Sequence, residues 1–364
     1  MKRYGAVLSV LAAGSVALSG CGAANEPSGG GGGGDNGSDL SGEIAGAGAS
    51  SQAAAKEAWI AGFQEQNPDV TVSYDPIGSG GGREQFIDGG TLFGGTDAAL
   101  DDEELPQAME RCGGEVIEFP VYISPIAIVY NLEGVDDLRL PPETLAGIFK
   151  QEITNWNDPA IAEANPDAQL PDQPITPVNR SDESGTTENF LDYMAAAAPD
   201  VWTFEVSGNW PVSGGEAAQG TSGVVNAVGS GDGTIGYADA SQAGELSVAQ
   251  IGVGEEFVDP SPEAAARVLE ASEQTDAEGE YVFAYELARD TTESGTYPIV
   301  LVSYEVACGN YESQEDAELV QAFLDYLISD EGQQTAQEAA GSAPLSDALQ
   351  QEFQPAIDAI SGGN

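Results

Sequence analysis

Histidine is absent from all 364 residues, and Lys plus Arg number only 10 against 61 Asp plus Glu. Without histidine there is no Ser-His-Asp arrangement, no everyday general base and none of the commonest metal-ligating side chain. A formal net charge of −51 leaves no basic stripe to follow a phosphate backbone, which excludes nucleic acid as a partner. The acidity reads instead as a strongly solvated surface that keeps the protein soluble, in salty surroundings included. A Gly-x-Ser-x-Gly nucleophile elbow is missing too. Neither Lys56 nor Lys150 lies in a Gly-x4-Gly-Lys-Ser/Thr phosphate loop. A metal-dependent phosphatase built from carboxylates alone is left open by composition, although no tight Asp/Glu cluster points to one.

Long apolar runs are scarce as well. The run from Ala6 to Leu18 follows Lys2 and Arg3 and leads into Leu18-Ser-Gly-Cys21. A basic start, a short apolar stretch and small residues before a cleavage point predict a secretory signal over residues 1–20, too short to span a bilayer comfortably. Its ending resembles a bacterial lipobox, which implies that Cys21 is lipidated (palmitoylated) and becomes the mature N-terminus. Residues 21–42 include the unbroken run Gly29–Gly34, a composition with too little apolar surface to fold and suited to a flexible tether. The chain is therefore expected outside the cytoplasm, held to the cell membrane by its N-terminal lipid. Cysteine is rare: beyond Cys21 there are only Cys112 and Cys308. In an exported chain such a pair predicts one disulfide rather than a metal site, two buried thiols being the alternative.

What is present is a unit that recurs three times: apolar strand, small-residue loop, amphipathic helix. The first runs from Glu43-Ile-Ala45 through Gly46–Ser51 to a helix carrying Trp59, Ile60 and Phe63, stopped at Asn67-Pro68. The second runs from Val70–Tyr74 through the loop Gly78–Gly82 to a helix with Phe86 and Ile87. The third runs from Ile175–Val178 through Arg180–Thr187 to a helix with Phe190, Leu191 and Met194. Further strands are expected at Val116–Phe119, Ile123–Tyr130 and Ile299–Tyr304, and helices at Pro142–Lys150, Pro262–Ala271 and Glu315–Ile328. Strands alternating with helices predict an α/β body, and the length suggests two domains.

Each of the three loops places Ser or Thr where a helix begins. Capping alone would explain any one of them. Three together, at the carboxyl ends of strands in an open α/β sheet, suggest a site where helix N-termini, hydroxyls and backbone N–H groups converge on an anion. Arg180 adds a planar fork suited to a tetrahedral oxyanion. Preorganised local donors allow such binding even in a strongly acidic protein.

Gly46-Ala-Gly-Ala-Ser, Ile77-Gly-Ser-Gly-Gly, Phe93-Gly-Gly-Thr-Asp97, Ile153-Thr-Asn-Trp-Asn-Asp-Pro159, Arg180-Ser-Asp-x-Ser-Gly-Thr186 and Ile235-Gly-Tyr237 occur in an order that resembles the bacterial phosphate-binding proteins of ABC transporters. The resemblance covers most of residues 43–345. It implies a two-lobed periplasmic-binding-protein type II fold, two doubly wound α/β lobes joined by a two-segment hinge. Residues 43–118 and 298–364 would form lobe 1, and residues 119–297 lobe 2. Carried over by motif, the phosphate ligands would be Ser50 (hydroxyl and N–H), Ser51 (N–H), Ser79 and Asp97 from one lobe. Arg180, Ser184, Gly185 and Thr186 would come from the other, with Asp182 orienting Arg180. The same resemblance implies inorganic phosphate as ligand, transporter permease subunits as partners, a monomer touching the membrane only through its lipid, no enzymatic activity, and no cofactor or metal. Cys112 and Cys308 flank apolar strands near the places where the family's chain would pass between lobes.

Two departures from the family's pattern stand out. Ser51 and Gln52 occupy positions usually taken by an aromatic residue and proline, and Glu183 stands where glycine is common, bringing a negative charge near an anion. The alternatives are a binder of sulfate or molybdate, or a phosphate-dependent sensor or adhesion lipoprotein.

Overall fold

The computed structural model describes residues 40–363; the expected signal (1–20), Cys21 and the tether up to residue 39 lie outside the described residues. The first sheet strands are β1 (Gly42–Gly48), β2 (Val70–Asp75) and β3 (Phe93–Thr96), with β1 parallel to both others. Helices α1 (Ala53–Gln66) and α2 (Ser79–Ile87) make the connections. Val70 and Val72 face inward while Thr71 faces solvent, the period-two alternation of a half-buried strand. Trp59 and Phe63 bury one stripe of α1, and Pro68 prevents that helix from continuing.

Two long strands, β4 (Val116–Asn131) and later β8 (Val300–Cys308), form the spine. Between them come β5 (Thr176–Arg180), α3 (Gly185–Ala197), β6 (Glu216–Ala218), α4 (Gly220–Ser230) and β7 (Thr234–Asp239). The sheet order is β2-β1-β3-β8-β4-β7-β5-β6. Val116–Pro125 of β4 lie opposite β8, and Ile126–Asn131 lie opposite β7. The sheet thus divides into a first half (β2-β1-β3-β8-β4) and a second half (β4-β7-β5-β6), each mixing parallel strands with crossover helices. This is the mixed α/β architecture expected.

β4 is continuous where two strands were expected. Pro120 sits beside the bulge between Ser303 and Tyr304, and Pro125 pairs with Val300 at the end of that ladder. A proline is tolerated at a bulge or ladder end, where its missing N–H interrupts little. The loop expected over Gly78–Gly82 is also corrected: only Gly78 stays outside α2, and Gly80 to Gly82 are helical. A Cβ on Gly82 would come 2.3 Å from Gly48 Cα, so glycine here permits close helix–strand packing.

Cys112 and Cys308 form a disulfide. It lies at the end of β8 opposite to the residue that pairs with Pro125, where Cys308 pairs with Val116, and so belongs to the first half-sheet. Among the described residues no helix is long and apolar enough to cross a membrane.

Four of the eight cations among the described residues go inside. Lys56, Arg83, Arg180 and Arg289 are all buried, and each meets a carboxylate: Glu305, Glu104 with Glu183, Asp182 and Asp192 respectively. A buried charge is tolerable only with such a partner.

Candidate functional site

Asp97 follows β3 directly and is 2% exposed. Ser51 Oγ donates to its Oδ1 over 2.6 Å and Ser303 Oγ to the same oxygen over 2.7 Å. Thr186 Oγ1 donates to Oδ2 over 2.9 Å. The Asp97 N–H donates to Ser79 Oγ over 3.1 Å. Ser51, Ser79 and Ser303 belong to the first half-sheet and its helices, Thr186 to the first turn of α3 in the second. Burial pushes the Asp97 carboxyl above the ordinary carboxylate range, opposed by the three hydroxyls and by Arg180.

Arg180 ends β5, and its Nε donates to Asp182 Oδ1 over 2.8 Å, with Nη2 on Oδ2 completing a two-pronged contact. Gly220 N–H donates to the same Oδ1 over 3.0 Å. Burial would raise the Asp182 carboxyl, but Arg180 and the Gly220 N–H outweigh it and hold the group below its usual value. The Arg180 N–H donates to the Tyr237 hydroxyl over 3.2 Å, and that hydroxyl also pairs with Thr187 Oγ1 at 2.7 Å. The arginine is therefore held at both main chain and side chain.

The two halves meet closely here. Gly78 has φ +105°, and a Cβ on it would lie 2.6 Å from Asp182 Oδ2. A Cβ on Gly185 would lie 2.7 Å from Asp97 Cβ and 2.8 Å from Ser79 Oγ. Only glycine fits either place.

Capping, the plain explanation for the hydroxyls, holds for one of the three loops. Ser184 caps α3, its Oγ accepting from Thr187 N–H over 3.2 Å. α1 and α2 begin at Gln52 and Gly78 with no side-chain cap, which leaves Ser50, Ser51 and Ser79 for other work. Ser50 is bonded to none of the other expected site residues. Its Oγ pairs with Thr221 Oγ1 at 3.1 Å and accepts from Thr221 N–H over 3.1 Å. The Ile153–Pro159 motif is structural: Trp156 Nε1 donates to the Gly233 carbonyl over 3.1 Å and Asp158 caps the helix Pro159–Ala164.

The geometry also accounts for Ser51-Gln52. Gln52 Nε2 donates to Ser303 Oγ and, over 3.3 Å, to the Tyr304 carbonyl. Polar links to β8 thus replace the aromatic and proline of the usual pattern. What the arrangement offers chemically is a buried carboxylate acceptor amid hydroxyls, an oriented guanidinium and the N-terminus of α3.

The PBP superfamily domain matches residues 33–331. Phosphate-binding protein PstS 3 of Mycobacterium tuberculosis is 34% identical over 370 residues, 99% of this chain and 100% of that protein. This chain belongs to the family of phosphate-binding proteins. Phosphate-binding protein PstS of Methanocaldococcus jannaschii is 32% identical over 308 residues, 79% of this chain and 78% of that one. Among solved structures, a high-affinity periplasmic phosphate-binding protein (PfluDING) bound with phosphate superposes with TM-score 0.70 at 20% identity, covering 86% of this chain and 93% of that chain. The phosphate-binding protein from Stenotrophomonas maltophilia gives TM-score 0.67 at 21% identity, with 86% and 93% covered. These likenesses carry the two-lobed fold of the family.

Sequence reading missed Ser303, Thr221, Asn189 and Gln242 around the site. Ser303 and Glu305 are polar positions inside the apolar strand Val300–Cys308, a signal that could have marked them. Gly220-Thr-Ser-Gly223 repeats the glycine-and-hydroxyl helix start of the other loops. Asn189 and Gln242 carry no comparable signal.

Proposed function

We propose that this chain is the extracytoplasmic phosphate-binding component of an ABC importer, holding inorganic phosphate between its two half-sheets. The observation that carries the reading is the buried Asp97 carboxylate, ringed by hydroxyls of Ser51, Ser303 and Thr186 drawn from both halves. A carboxylate among anion ligands is unfavourable unless it has a proton to accept. Phosphate near neutral pH still carries one. The hydroxyl protons that satisfy Asp97 would turn to the anion, and Asp97 would accept the anion's O–H. Ser50, Ser51, Ser79, Ser184, Gly185 and Thr186 supply hydroxyl and N–H donors in this reading. Arg180, aimed by Asp182, supplies the fork.

The names of the relatives support phosphate as the ligand. The lobe division at 118/119 and 297/298 belongs to the same proposal; strand pairing changes over at Pro125 and Ile126. So do permease subunits as partners, a monomeric non-catalytic chain, hinge closure around the ligand, and anchoring by lipid on Cys21. Isothermal calorimetry tests the core of it: purified protein, stripped of anion by partial unfolding and refolding, takes up one equivalent of phosphate. Absence of phosphate uptake, or equal uptake of sulfate, overturns the assignment. Cys21→Ala should release the protein from the membrane fraction with binding unchanged.

A further inference from the structure

We propose that Asn189 and Gln242 are a pair of clasps between the two half-sheets that set how long a bound oxyanion stays. The inference rests on the phosphate-clamp reading above. Each is a carboxamide carried by the second half, and each donates to main-chain carbonyls of a ligand-bearing loop in the first. Asn189 Nδ2 donates to the Asp97 carbonyl over 2.6 Å. Gln242 Nε2 donates to the Ser50 carbonyl over 2.8 Å and the Ser51 carbonyl over 3.1 Å. The gripped carbonyls belong to the residues whose hydroxyl, N–H or carboxylate would hold the anion.

The Asn189 amide is fixed from behind. Asn189 Nδ2 also reaches the Gly185 carbonyl over 2.8 Å, and Asn189 Oδ1 accepts from Arg289 Nη2. Arg289 is only 3% exposed, pinned by Asp192 and by the carbonyls of Pro298 and Val300 at 3.2 and 2.9 Å. Flipping the Asn189 amide would turn its NH₂ toward the guanidinium and leave a buried charged donor without its acceptor, so the donor face stays toward Asp97. Gln242 ends the short turn Ala240–Gln242, whose Ser241 N–H is capped by Asp239 Oδ1 over 2.9 Å.

Neither amide needs to touch the ligand. Donor and acceptor sit on opposite halves, so these bonds exist only while the halves are together, and their free energy counts for the closed form alone. Closure follows encounter, so losing a clasp appears in dissociation rather than association. The clasps are neutral, which separates them from any salt-sensitive ion pair.

The test is release of radiolabelled phosphate from the purified full chain, chased with excess unlabelled phosphate. Gln242→Ala removes one half-buried donor. Asn189→Asp keeps the oxygen that Arg289 needs but turns a carboxylate oxygen toward the Asp97 carbonyl and, within its own half, toward the Gly185 carbonyl. Gln242→Ala should release phosphate roughly 3- to 10-fold faster, the yield of one hydrogen bond, with association and the melting temperature of the ligand-free protein nearly unchanged. Asn189→Asp should release it at least as much faster and also lower that melting temperature, because its bond to Gly185 is lost with or without ligand. Release within about twofold of wild type in both variants overturns the inference, as does faster release in Gln242→Ala matched by an equal loss of ligand-free stability. Wild type that retains no phosphate overturns the underlying reading, and this inference with it.

Discussion

Arg83 Nη2 donates to Glu183 Oε1 over 3.1 Å, tying α2 of the first half to the loop ahead of α3 in the second. Arg83 is held in turn by Glu104 at 2.8 Å and by Thr96 Oγ1 at 3.0 Å. Glu183, standing where the family's pattern favours glycine, therefore directs its charge to a buried guanidinium. Gly80 makes the room, since a Cβ there would meet Glu183 side-chain carbons at 2.5 Å.

That pair yields the first prediction. The Glu183 side chain is 47% exposed, so the bridge is screened and modest, on the order of 0.2–1 kcal/mol. Glu183→Gln should weaken phosphate binding by roughly two- to fivefold at low salt. At about 1 M salt, where the screening length is only ~3 Å, the difference should vanish. Calorimetry at two ionic strengths measures it; a difference that persists at high salt contradicts this role.

Discrimination should rest on Asp97. Phosphate offers it a proton and sulfate does not, and a buried charged acceptor left without its bond costs more than about 1–3 kcal/mol. Rejection of that kind reaches roughly 10⁴-fold in comparable sites. Wild type should bind phosphate and arsenate and ignore sulfate, while Asp97→Asn narrows the gap because an amide can also donate. Competition binding with the three anions decides it; unchanged selectivity in Asp97→Asn would refute the role.

Two buried carboxyls set a pH dependence of stability. Burial pushes Glu118 up to about 7 and Asp239 up to about 6. Glu118 Oε2 and Asp239 Oδ2 have no hydrogen-bond partner among the described residues, as suits protonated groups. Between the unfolded and folded values the native state holds protons that the unfolded chain has released. Stability should therefore fall as pH rises from about 4 to about 7 and then level off. Denaturant melts across that range check the slope, and Glu118→Gln should flatten its upper part. A slope of opposite sign refutes the assignment.

Lys56 and Glu305 form a buried pair, Nζ lying 2.7 and 2.6 Å from the two carboxylate oxygens, with the Trp59, Tyr74, Phe93 and Phe323 rings around the ammonium. Lys56→Met strands a carboxylate and should cost about 3–5 kcal/mol. Lys56→Met with Glu305→Leu should recover most of that loss. Chemical denaturation of the two variants tests the coupling, and a double variant no better than the single one argues against it.

Much of this was readable along the chain because the signals are local. Period-two alternation marked Val70–Tyr74, Pro68 marked the end of α1, and the glycine- and hydroxyl-rich loops drew attention to Ser51, Ser79 and Thr186, while Asp97 came from the resemblance alone. Cysteine count with the export signal paired Cys112 with Cys308. The ordered motifs were enough to recognise the family.

Tertiary structure decided the rest, because it depends on which distant groups meet. From sequence alone β4 reads as two strands, Val116–Phe119 and Ile123–Tyr130; a bulge on the partner strand and a change of partner make the strand continuous. Ser303 reads as one polar residue in an apolar strand until the antiparallel pairing of β3 and β8 brings it to Asp97. Asn189 looks like any helix residue until the halves close and its amide finds a carbonyl 92 positions away in sequence. Composition and local period determined which elements form and which loops carry donors. The free energy of burying a carboxylate, payable only by donors converging from both halves, determined where those loops had to meet.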